Sequence, residues 1–345
     1  RANVKMELVY VPYHFLQSIV TKLTGVAIIG LSAYFYINGS MSVLYAVGMS
    51  IAAFMLYGGL ETMGTFSSLI HVVSVCVDKA NVVLGLDTMD IDGKELNPEN
   101  HDIEVKNIEF SYDKRKIIDG ISLTIPEKTT TAIIGPSGGG KTTLCNLIAR
   151  FWDVDSGEIT LGGTNVKDYS MNSLMNNFSF VFQNVYLFAD TIENNIKFGR
   201  PEATHEEVVE AAKKACCHDF ISKLPDGYNT VIGEGGATLS GGEKQRISIA
   251  RAIMKDSPII ILDEATANVD PENEKELTLA VDALTKEKTI IMIAHRLKTV
   301  RHADQIVVVD QGRIAQKGTH EELMKQDGIY RRFVDSRELA VSWKI

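Results

Sequence analysis

The sequence predicts two unlike parts: an all-α hairpin of membrane-spanning helices, followed by an α/β domain. Charge is sparse over residues 1 to about 80. From residue 102 onward, short apolar runs typical of buried parallel strands alternate with helical stretches. The length of 345 residues suggests about two domains. We place the partial membrane domain at 1–92, an acidic linker at 93–101 and the α/β domain at 102–345.

The hairpin is predicted from two apolar runs. Phe15–Ile37 spans about 23 residues with Lys22 as its one charge, and Met41–Leu60 is uncharged throughout. A helix needs about 20 mostly apolar residues to cross a bilayer. Lys and Arg lie at the outer flanks, which places both ends of the hairpin in the cytoplasm. A buried helical pair in a soluble protein is the alternative. Glu61 follows the second run and is a candidate contact with substrate or partner, or an interface residue.

Composition limits the class of protein. The net charge is −9, from 35 basic and 44 acidic residues, which disfavours binding to nucleic acid. The four cysteines show no C-x-x-C spacing, and we expect them to be reduced and buried. The chain opens on Arg1 without a signal-peptide pattern, and we expect it to be part of a longer protein.

A phosphate-binding loop is predicted after the apolar run Thr130–Ile134. The string Gly135-Pro136-Ser137-Gly138-Gly139-Gly140-Lys141-Thr142-Thr143 matches G-x-x-x-x-G-K-[ST] and leads into a helical stretch at 144–150. Its glycines allow backbone N–H groups to surround phosphates at a helix N-terminus. Lys141 supplies a charge near the β- and γ-phosphates, and Thr142 offers a hydroxyl to Mg²⁺. This combination predicts a P-loop NTPase. The alternative interpretation is a flexible glycine loop that binds no phosphate.

Two further strings extend the site. A second buried strand is predicted at Pro258–Asp263, and its end carries Asp263 as a Mg²⁺ ligand and Glu264 to align the attacking water. Ser240 and the following glycines precede a helix predicted at Ile247–Met254, which gives a second helix N-terminus suited to binding an anion. Two such helix N-termini can bind the same ATP if two copies of the chain face each other head to tail.

The string Leu239-Ser240-Gly241-Gly242-Glu243-Lys244-Gln245-Arg246 resembles the signature motif of ATP-binding cassette (ABC) transporters. Glu243 stands where that family more often has Gln. The resemblance covers about 102–345, with a helical subdomain at about 184–257. Residues 1–92 resemble the last two transmembrane helices of exporter-fold half-transporters.

The resemblance implies roles for further residues. Tyr112 resembles the aromatic residue that stacks on adenine, and Gln183 resembles the glutamine that senses Mg²⁺ and faces the membrane domain. Asp270 ends a string similar to the D-loop, and His295 resembles the switch histidine at the γ-phosphate. Glu234 lies in a loop similar to one that touches coupling helices. The resemblance also implies that Ser240, Gly241 and Gly242 of a partner complete the γ-phosphate cage.

The same resemblance implies ATP and Mg²⁺ as cofactors and an ATPase coupled to transport. Expected partners are a second half-transporter, identical or different, membrane lipid, and a small-molecule or peptide substrate, with no nucleic acid. The expected location is a cell membrane, the bacterial inner membrane, with the nucleotide domain in the cytoplasm. Strings 151–158, 185–188 and 217–221 resemble exporter-fold importers of ferric siderophores. A soluble ABC ATPase, a P-loop kinase or GTPase, and an ATP-gated module remain alternatives.

Overall fold

The computed structural model describes residues 2–86, 88–236, 239–263, 271–294 and 297–342. It divides into two compact units, Arg1–Thr88 and Met89–Ile345. Glu264, Asp270 and His295 lie outside the described residues. The predicted linker bounds at 93–101 stay a prediction, and in the structure this segment belongs to the second unit.

The first unit is a pair of long helices, α1 (Ala2–Ile37) and α2 (Val43–Leu84). The Ser42 side chain caps α2 by accepting a hydrogen bond from the Tyr45 N–H at 3.5 Å. Within the described residues, Phe15–Ile37 is the one helical stretch of 23 residues that is long and apolar enough to cross a membrane. Ser32 and Ala53 are buried, whereas most other described apolar side chains of the pair are exposed. Small residues of this kind allow close contact between helices.

The second unit contains two sheets and ten helices among the described residues. The strands are β1 (Ile103–Tyr112), β2 (Arg115–Ile125), β3 (Thr130–Ile134), β4 (Ser156–Leu161), β5 (Thr164–Asn165), β6 (Phe178–Val181), β7 (Ile259–Asp263), β8 (Thr289–Ile293), β9 (Gln305–Asp310) and β10 (Arg313–Gly318). The helices are α3 (Lys141–Ile148), α4 (Met171–Asn176), α5 (Ile192–Lys197), α6 (His205–Lys214), α7 (His218–Ile221), α8 (Gly241–Lys255), α9 (Pro271–Thr285), α10 (Leu297–Arg301), α11 (His320–Met324) and α12 (Ile329–Ser342).

The larger sheet has the order β10-β9-β3-β8-β7-β6, in which β9 through β6 are parallel and β10 is antiparallel at one edge. Both of its faces are buried. Ile260 and Leu262 pack into one core with α8, while Ile259 and Ile261 pack into a second core with α3. This two-sided burial is the reason that the parallel strands appear in the sequence as unbroken apolar runs. The predicted parallel α/β core is confirmed.

The smaller sheet is antiparallel, with the order β2-β1-β4-β5. It packs through Val105, Ile121 and Ile159 against the second core. Helices α5, α6 and α8 contact one another beside the larger sheet. The α/β class with additional helices and a preceding helix pair agrees with the predicted fold class.

Some local predictions differ from the structure. Helix α3 begins at Lys141 and ends at Ile148, so residues 149 and 150 follow the helix. Helix α8 begins at Gly241, six residues before the predicted start, because Ser240 caps it. Among the thiols, Cys145 and Cys217 are buried as expected, but Cys76 is exposed and Cys216 is partly exposed, and all four are free.

Candidate functional site

The ends of four parallel strands meet at one edge of the larger sheet. Ile293 of β8 lies opposite Ile133 of β3 and opposite Asp263 of β7. Val181 of β6 lies opposite Leu262 of β7. The residues that follow these strands therefore share one edge, which is where ligands bind in open α/β sheets. The sequence places the P-loop, Gln183 and Asp263 at these ends.

The loop between β3 and α3 is shaped by glycines. Gly135, Gly138 and Gly140 all have positive φ, at 144°, 77° and 107°. A Cβ atom built on Gly135 would lie 1.9 Å from the Val309 carbonyl oxygen, so no larger residue fits there. The loop is also fixed from outside, because the Gly312 N–H donates to the Gly139 carbonyl at 3.0 Å. The loop therefore forms a shaped cradle at the start of α3, as phosphate binding requires.

Lys141 lies at the first position of α3 with its side chain folded over the loop. Its Nζ donates to the carbonyl oxygens of Gly135 at 3.0 Å and Pro136 at 2.9 Å. The side chain is 8% exposed. Thr142, next to it, is exposed on the surface of the loop. A buried cation beside an exposed hydroxyl and a glycine-rich loop is the arrangement that a triphosphate with Mg²⁺ needs.

Asp263 ends β7 close to α3. Burial raises the pKa of the Cys145 thiol in α3, and the charge of Asp263 raises it further, which reports their proximity. Gln183 is exposed two residues after β6. The neighbouring Phe182 carbonyl accepts a hydrogen bond from the Gln245 amide of α8 at 3.4 Å. The segment that follows β6 thus contacts the helix that carries most of the signature string.

Tyr112 lies in an aromatic cluster at the end of β1. Its ring meets Phe110 edge-on at 4.8 Å between centroids and Trp152 edge-on at 5.5 Å. Tyr112 is 37% exposed and Trp152 is 50% exposed, so part of each ring faces solvent. The sequence prediction missed Trp152, and its position soon after the P-loop helix is the signal that could have found it.

Ser240 and Glu243 form a reciprocal cap at the start of α8. The Ser240 hydroxyl accepts from the Glu243 N–H at 3.3 Å, and the Glu243 carboxylate accepts from the Ser240 N–H at 2.8 Å. Ser240 is exposed and Gly242 is buried. The helix that carries them packs on α5, α6 and α9, whereas α3 packs on β2 and β8. The two helix N-termini that the sequence predicts to bind phosphate therefore belong to different parts of the unit.

A second connection that the sequence did not predict joins the segment after Gln183 to α8. Arg251 of α8 donates through Nη1 to the Tyr186 carbonyl at 3.3 Å and through Nη2 to the Asn195 side chain at 3.0 Å. Its guanidinium also lies over the rings of Phe188 and Phe198. Burial lowers the pKa of Arg251 to about 10, so it stays charged at neutral pH.

The loop before the signature string is held by the same segment. The Gly235 N–H donates to the Leu187 carbonyl at 3.1 Å, and the Ile232 N–H donates to the Asp190 carbonyl at 3.0 Å. Glu234 begins a short 3₁₀ turn at this point. The backbone that carries Glu234 is therefore tied to the exit of the Gln183 segment. Glu61 lies within α2.

Comparisons with known proteins agree with this arrangement. Residues 118–267 match the family model described as ABC transporter. An ATP-dependent lipid A-core flippase of Desulfotalea psychrophila is 50% identical over 235 residues, covering 68% of this chain and 41% of that protein. A putative multidrug export ATP-binding/permease protein of Bacillus subtilis is 39% identical over 325 residues, covering 93% of this chain and 56% of that protein.

Among solved structures, a bacterial Atm1-family ABC exporter with ATP bound matches with a TM-score of 0.72 and 33% identity, covering 97% of this chain and 59% of that one. The chain thus carries the ATPase domain of the ABC transporter family, a family of ATP-hydrolysing transport proteins. Its fold matches part of that ABC exporter. The chain spans about half the length of the relatives that it matches.

Proposed function

We propose that this chain is the ATP-hydrolysing part of a membrane half-transporter that pairs with a second half to move a substrate across a membrane. The observation that supports this proposal is the shared sheet edge, at which the strands leading into the glycine-shaped P-loop and into Gln183 end, with Asp263 as the last residue of β7. The long helix pair α1 and α2, with its apolar stretch Phe15–Ile37, supplies the membrane part of the proposal.

The residues of this chain divide the binding work. Tyr112 stacks on adenine through its exposed ring face, supported at its edge by Trp152. The backbone of 135–143 binds the phosphates, and Lys141 exchanges its loop carbonyl partners for phosphate oxygens. Ser240, Gly241 and Gly242 of the second half then face the same γ-phosphate, because helix starts bind anions. Asp270, in the D-loop, lies at the contact between the two halves.

The residues present fit a Mg²⁺ ion beside the phosphates. Thr142, Gln183 and Asp263 offer a hydroxyl, an amide oxygen and a carboxylate, which are hard oxygen ligands of the kind that Mg²⁺ binds. Bound Mg²⁺ neutralises charge on the phosphate oxygens. Glu264 orients the water for attack on the γ-phosphate, and His295 holds the γ-phosphate from the end of β8. Much of this chemistry is positioning, so it requires both halves to be closed on each other.

We propose export of a lipid or drug-like small molecule as the transport task. The similar proteins of D. psychrophila and B. subtilis are named as a lipid A-core flippase and a multidrug exporter. Those names do not favour the alternatives of ferric siderophore import or of a soluble ABC ATPase. The proposed location is a cell membrane, the bacterial inner membrane, with the nucleotide domain in the cytoplasm.

The catalytic part of the proposal is tested by Glu264→Gln in the full-length parent protein in lipid nanodiscs. We expect ATP hydrolysis to fall at least about 100-fold, because the water loses its carboxylate, while ATP binding stays within about threefold. Hydrolysis near the wild-type rate would remove Glu264 from this role.

The transport part is tested in the same nanodiscs by stimulation of ATPase with lipid A, hydrophobic drugs, peptides and ferric siderophores. Selective stimulation by a siderophore would overturn the assignment of export.

A further inference from the structure

Arg150 is a buried cation two residues beyond the end of the P-loop helix α3. It is 2% exposed, although arginine is almost never fully buried without partners. Its Nε donates to the Asp153 carboxylate at 3.0 Å, and its Nη1 lies 3.3 Å from each of three carbonyl oxygens in segment 166–169. Its Nη2 donates to the Asp90 carbonyl at 2.6 Å. The guanidinium therefore joins α3 to two segments that are distant in sequence.

The backbone of Arg150 is also in a costly conformation. Its φ is +55°, in the left-handed region that is unfavourable for a non-glycine residue. Burial of its charge adds a second cost, which the surrounding carbonyl oxygens must offset. Glycine or asparagine would adopt this turn more easily. The two costs together indicate that the contacts of the guanidinium hold this residue in place.

Asp90 belongs to the chain segment that enters the second unit after α2. This segment, 90–96, lies alongside 168–173. The Lys94 N–H donates to the Asp168 carbonyl at 2.8 Å, and the Ser170 N–H returns a bond to the Lys94 carbonyl at 2.8 Å. The Leu96 N–H donates to the Ser173 hydroxyl at 2.9 Å. The entering segment is thus a fixed part of the nucleotide domain.

Gly93 shows how close this contact is. A Cβ atom built on Gly93 would lie 2.3 Å from the carbonyl carbon and oxygen of Tyr169. Tyr169 is buried, and its hydroxyl donates to the Leu161 carbonyl at 2.9 Å. Since Tyr169 cannot retreat, any side chain at position 93 pushes the entering segment away. Gly93 and Arg150 therefore both lie against the Tyr169 carbonyl in this contact.

Fixing Asp90 shortens the free connection to α2. A free chain from Gly85 to residue 101 could extend roughly 55 Å at about 3.3 Å per residue, whereas the residues between α2 and Asp90 reach only about 17 Å. A long slack connection would absorb a movement of the nucleotide domain. A short one passes it on to the end of α2. The P-loop helix has its phosphate-binding loop at one end and Arg150 just beyond the other.

We propose that Arg150 is a positioning residue that clamps the entering segment 90–96 to the P-loop helix, so that movement of the nucleotide domain on ATP binding reaches helix α2 without slack. This clamp rests on the proposed function, since it requires a nucleotide domain that drives membrane helices. It assigns to Arg150 a role in transmission rather than in ATP binding or hydrolysis.

The test uses the full-length parent protein with its partner in lipid nanodiscs. A spin label is attached at Ser40→Cys, in the exposed turn between α1 and α2, after replacement of the accessible native cysteines. The distance between labels in the two halves is measured without nucleotide and after trapping with Mg-ATP and vanadate. Hydrogen exchange of the peptide covering 88–96 is measured on the same samples.

Two variants open the clamp, one at Arg150 and one at Gly93. In Arg150→Lys and in Gly93→Ala, we expect ATP affinity within about threefold of wild type, a label shift reduced to less than half, and exchange of 88–96 at least tenfold faster. The matched control Asp153→Asn removes the ionic partner of the same guanidinium but keeps the Asp90 contact, and it should retain the full shift.

The outcomes separate the two proposals. A full wild-type shift in both folded variants would overturn the clamp and leave the proposed function intact. A wild type that traps nucleotide without any label shift would overturn the proposed coupling, and the clamp with it. If Arg150→Lys does not fold, Gly93→Ala decides alone, since it leaves the guanidinium in place.

Discussion

The Oε2 atom of Glu243 accepts two hydrogen bonds from Ser240, one from its backbone N–H at 2.8 Å and one from its hydroxyl at 2.8 Å. The hydroxyl proton that would bind a γ-phosphate is therefore directed at a carboxylate of the same chain. Glu243 stands where the ABC transporter signature motif more often has Gln. The negative charge at the start of α8 also opposes the approach of a phosphate.

Glu243→Gln tests the effect of that charge. We expect KM for ATP to fall about two- to fivefold, since a charge near a helix N-terminus contributes about 0.3–1 kcal/mol, with kcat within about twofold of wild type. Steady-state ATPase assays at constant ionic strength measure both values. An unchanged or higher KM would contradict the prediction.

Another cap in the same domain provides a matched control. Thr319 and Glu322 form the same reciprocal pair at α11, with the carboxylate 2.9 Å from the capped N–H. Glu322→Gln should change thermal stability about as much as Glu243→Gln does, because the loss to the cap is similar. Its KM for ATP should stay at the wild-type value.

Lys141→Met should abolish ATP binding while leaving the domain folded. The Nζ of Lys141 would make charge-assisted hydrogen bonds to two phosphates, and their loss corresponds to an affinity drop of at least about 100-fold. Isothermal titration with ATP measures it. Retention of affinity within tenfold would exclude Lys141 as a phosphate ligand.

Lys255 is the matched control for that variant. Its Nζ also donates to two backbone carbonyl oxygens, those of Met175 at 2.8 Å and Phe178 at 2.7 Å, but far from the P-loop in sequence. Lys255→Met should lower the free energy of unfolding by about 1–3 kcal/mol, because buried carbonyl oxygens lose their donor. Its ATP affinity should be unchanged.

Tyr112→Ala should raise KM for ATP at least about fivefold, since stacking of a base on an aromatic ring contributes about 1–3 kcal/mol. Trp152→Ala should raise it about two- to fivefold, because the edge contact that orients the Tyr112 ring is lost. Tyr112→Phe, which keeps the ring, should stay within twofold. Equal KM values in all three variants would remove the aromatic cluster from adenine binding.

The buried thiols should resist alkylation in the folded protein. Burial raises the pKa of Cys145 and raises that of Cys217 to about 12, so at pH 8 about one Cys217 thiol in 10⁴ is the reactive thiolate. A raised pKa keeps the thiol neutral at all working pH values. Maleimide labelling at pH 8 with peptide mapping should leave both unmodified until the protein is unfolded. Rapid native labelling at Cys145 would contradict the packing of α3.

Strands with two buried faces were predictable because their pattern is unambiguous. The predicted bounds of Thr130–Ile134 coincide with β3, and the predicted strand Pro258–Asp263 matches β7 to within one residue. Strand β2 was not predicted, because charges at Arg115, Lys116 and Asp119 interrupt its apolar positions. One face of that strand is exposed, so its sequence resembles that of a loop.

The candidate site divides in the same way. The P-loop was predictable because its glycine spacing is specific to this loop conformation. The strand before it and the helix after it were predictable from the neighbouring sequence. Arg150 was not predictable, because its partners are mostly backbone carbonyl oxygens in segments 60 residues before and 16–19 residues after it. Backbone acceptors leave no trace in residue identity. The roles of Glu264, Asp270 and His295 stay predictions.

The P-loop is held by both sheets. Gly139 accepts a hydrogen bond from Gly312 in the turn between β9 and β10, and the Gly312 carbonyl accepts one from the Asp119 N–H of β2. The loop thus has little conformational freedom left before nucleotide arrives. Ordering it costs entropy during folding rather than during binding, so ATP meets a preorganised receptor. Each turnover can then release and rebind nucleotide without rebuilding the loop.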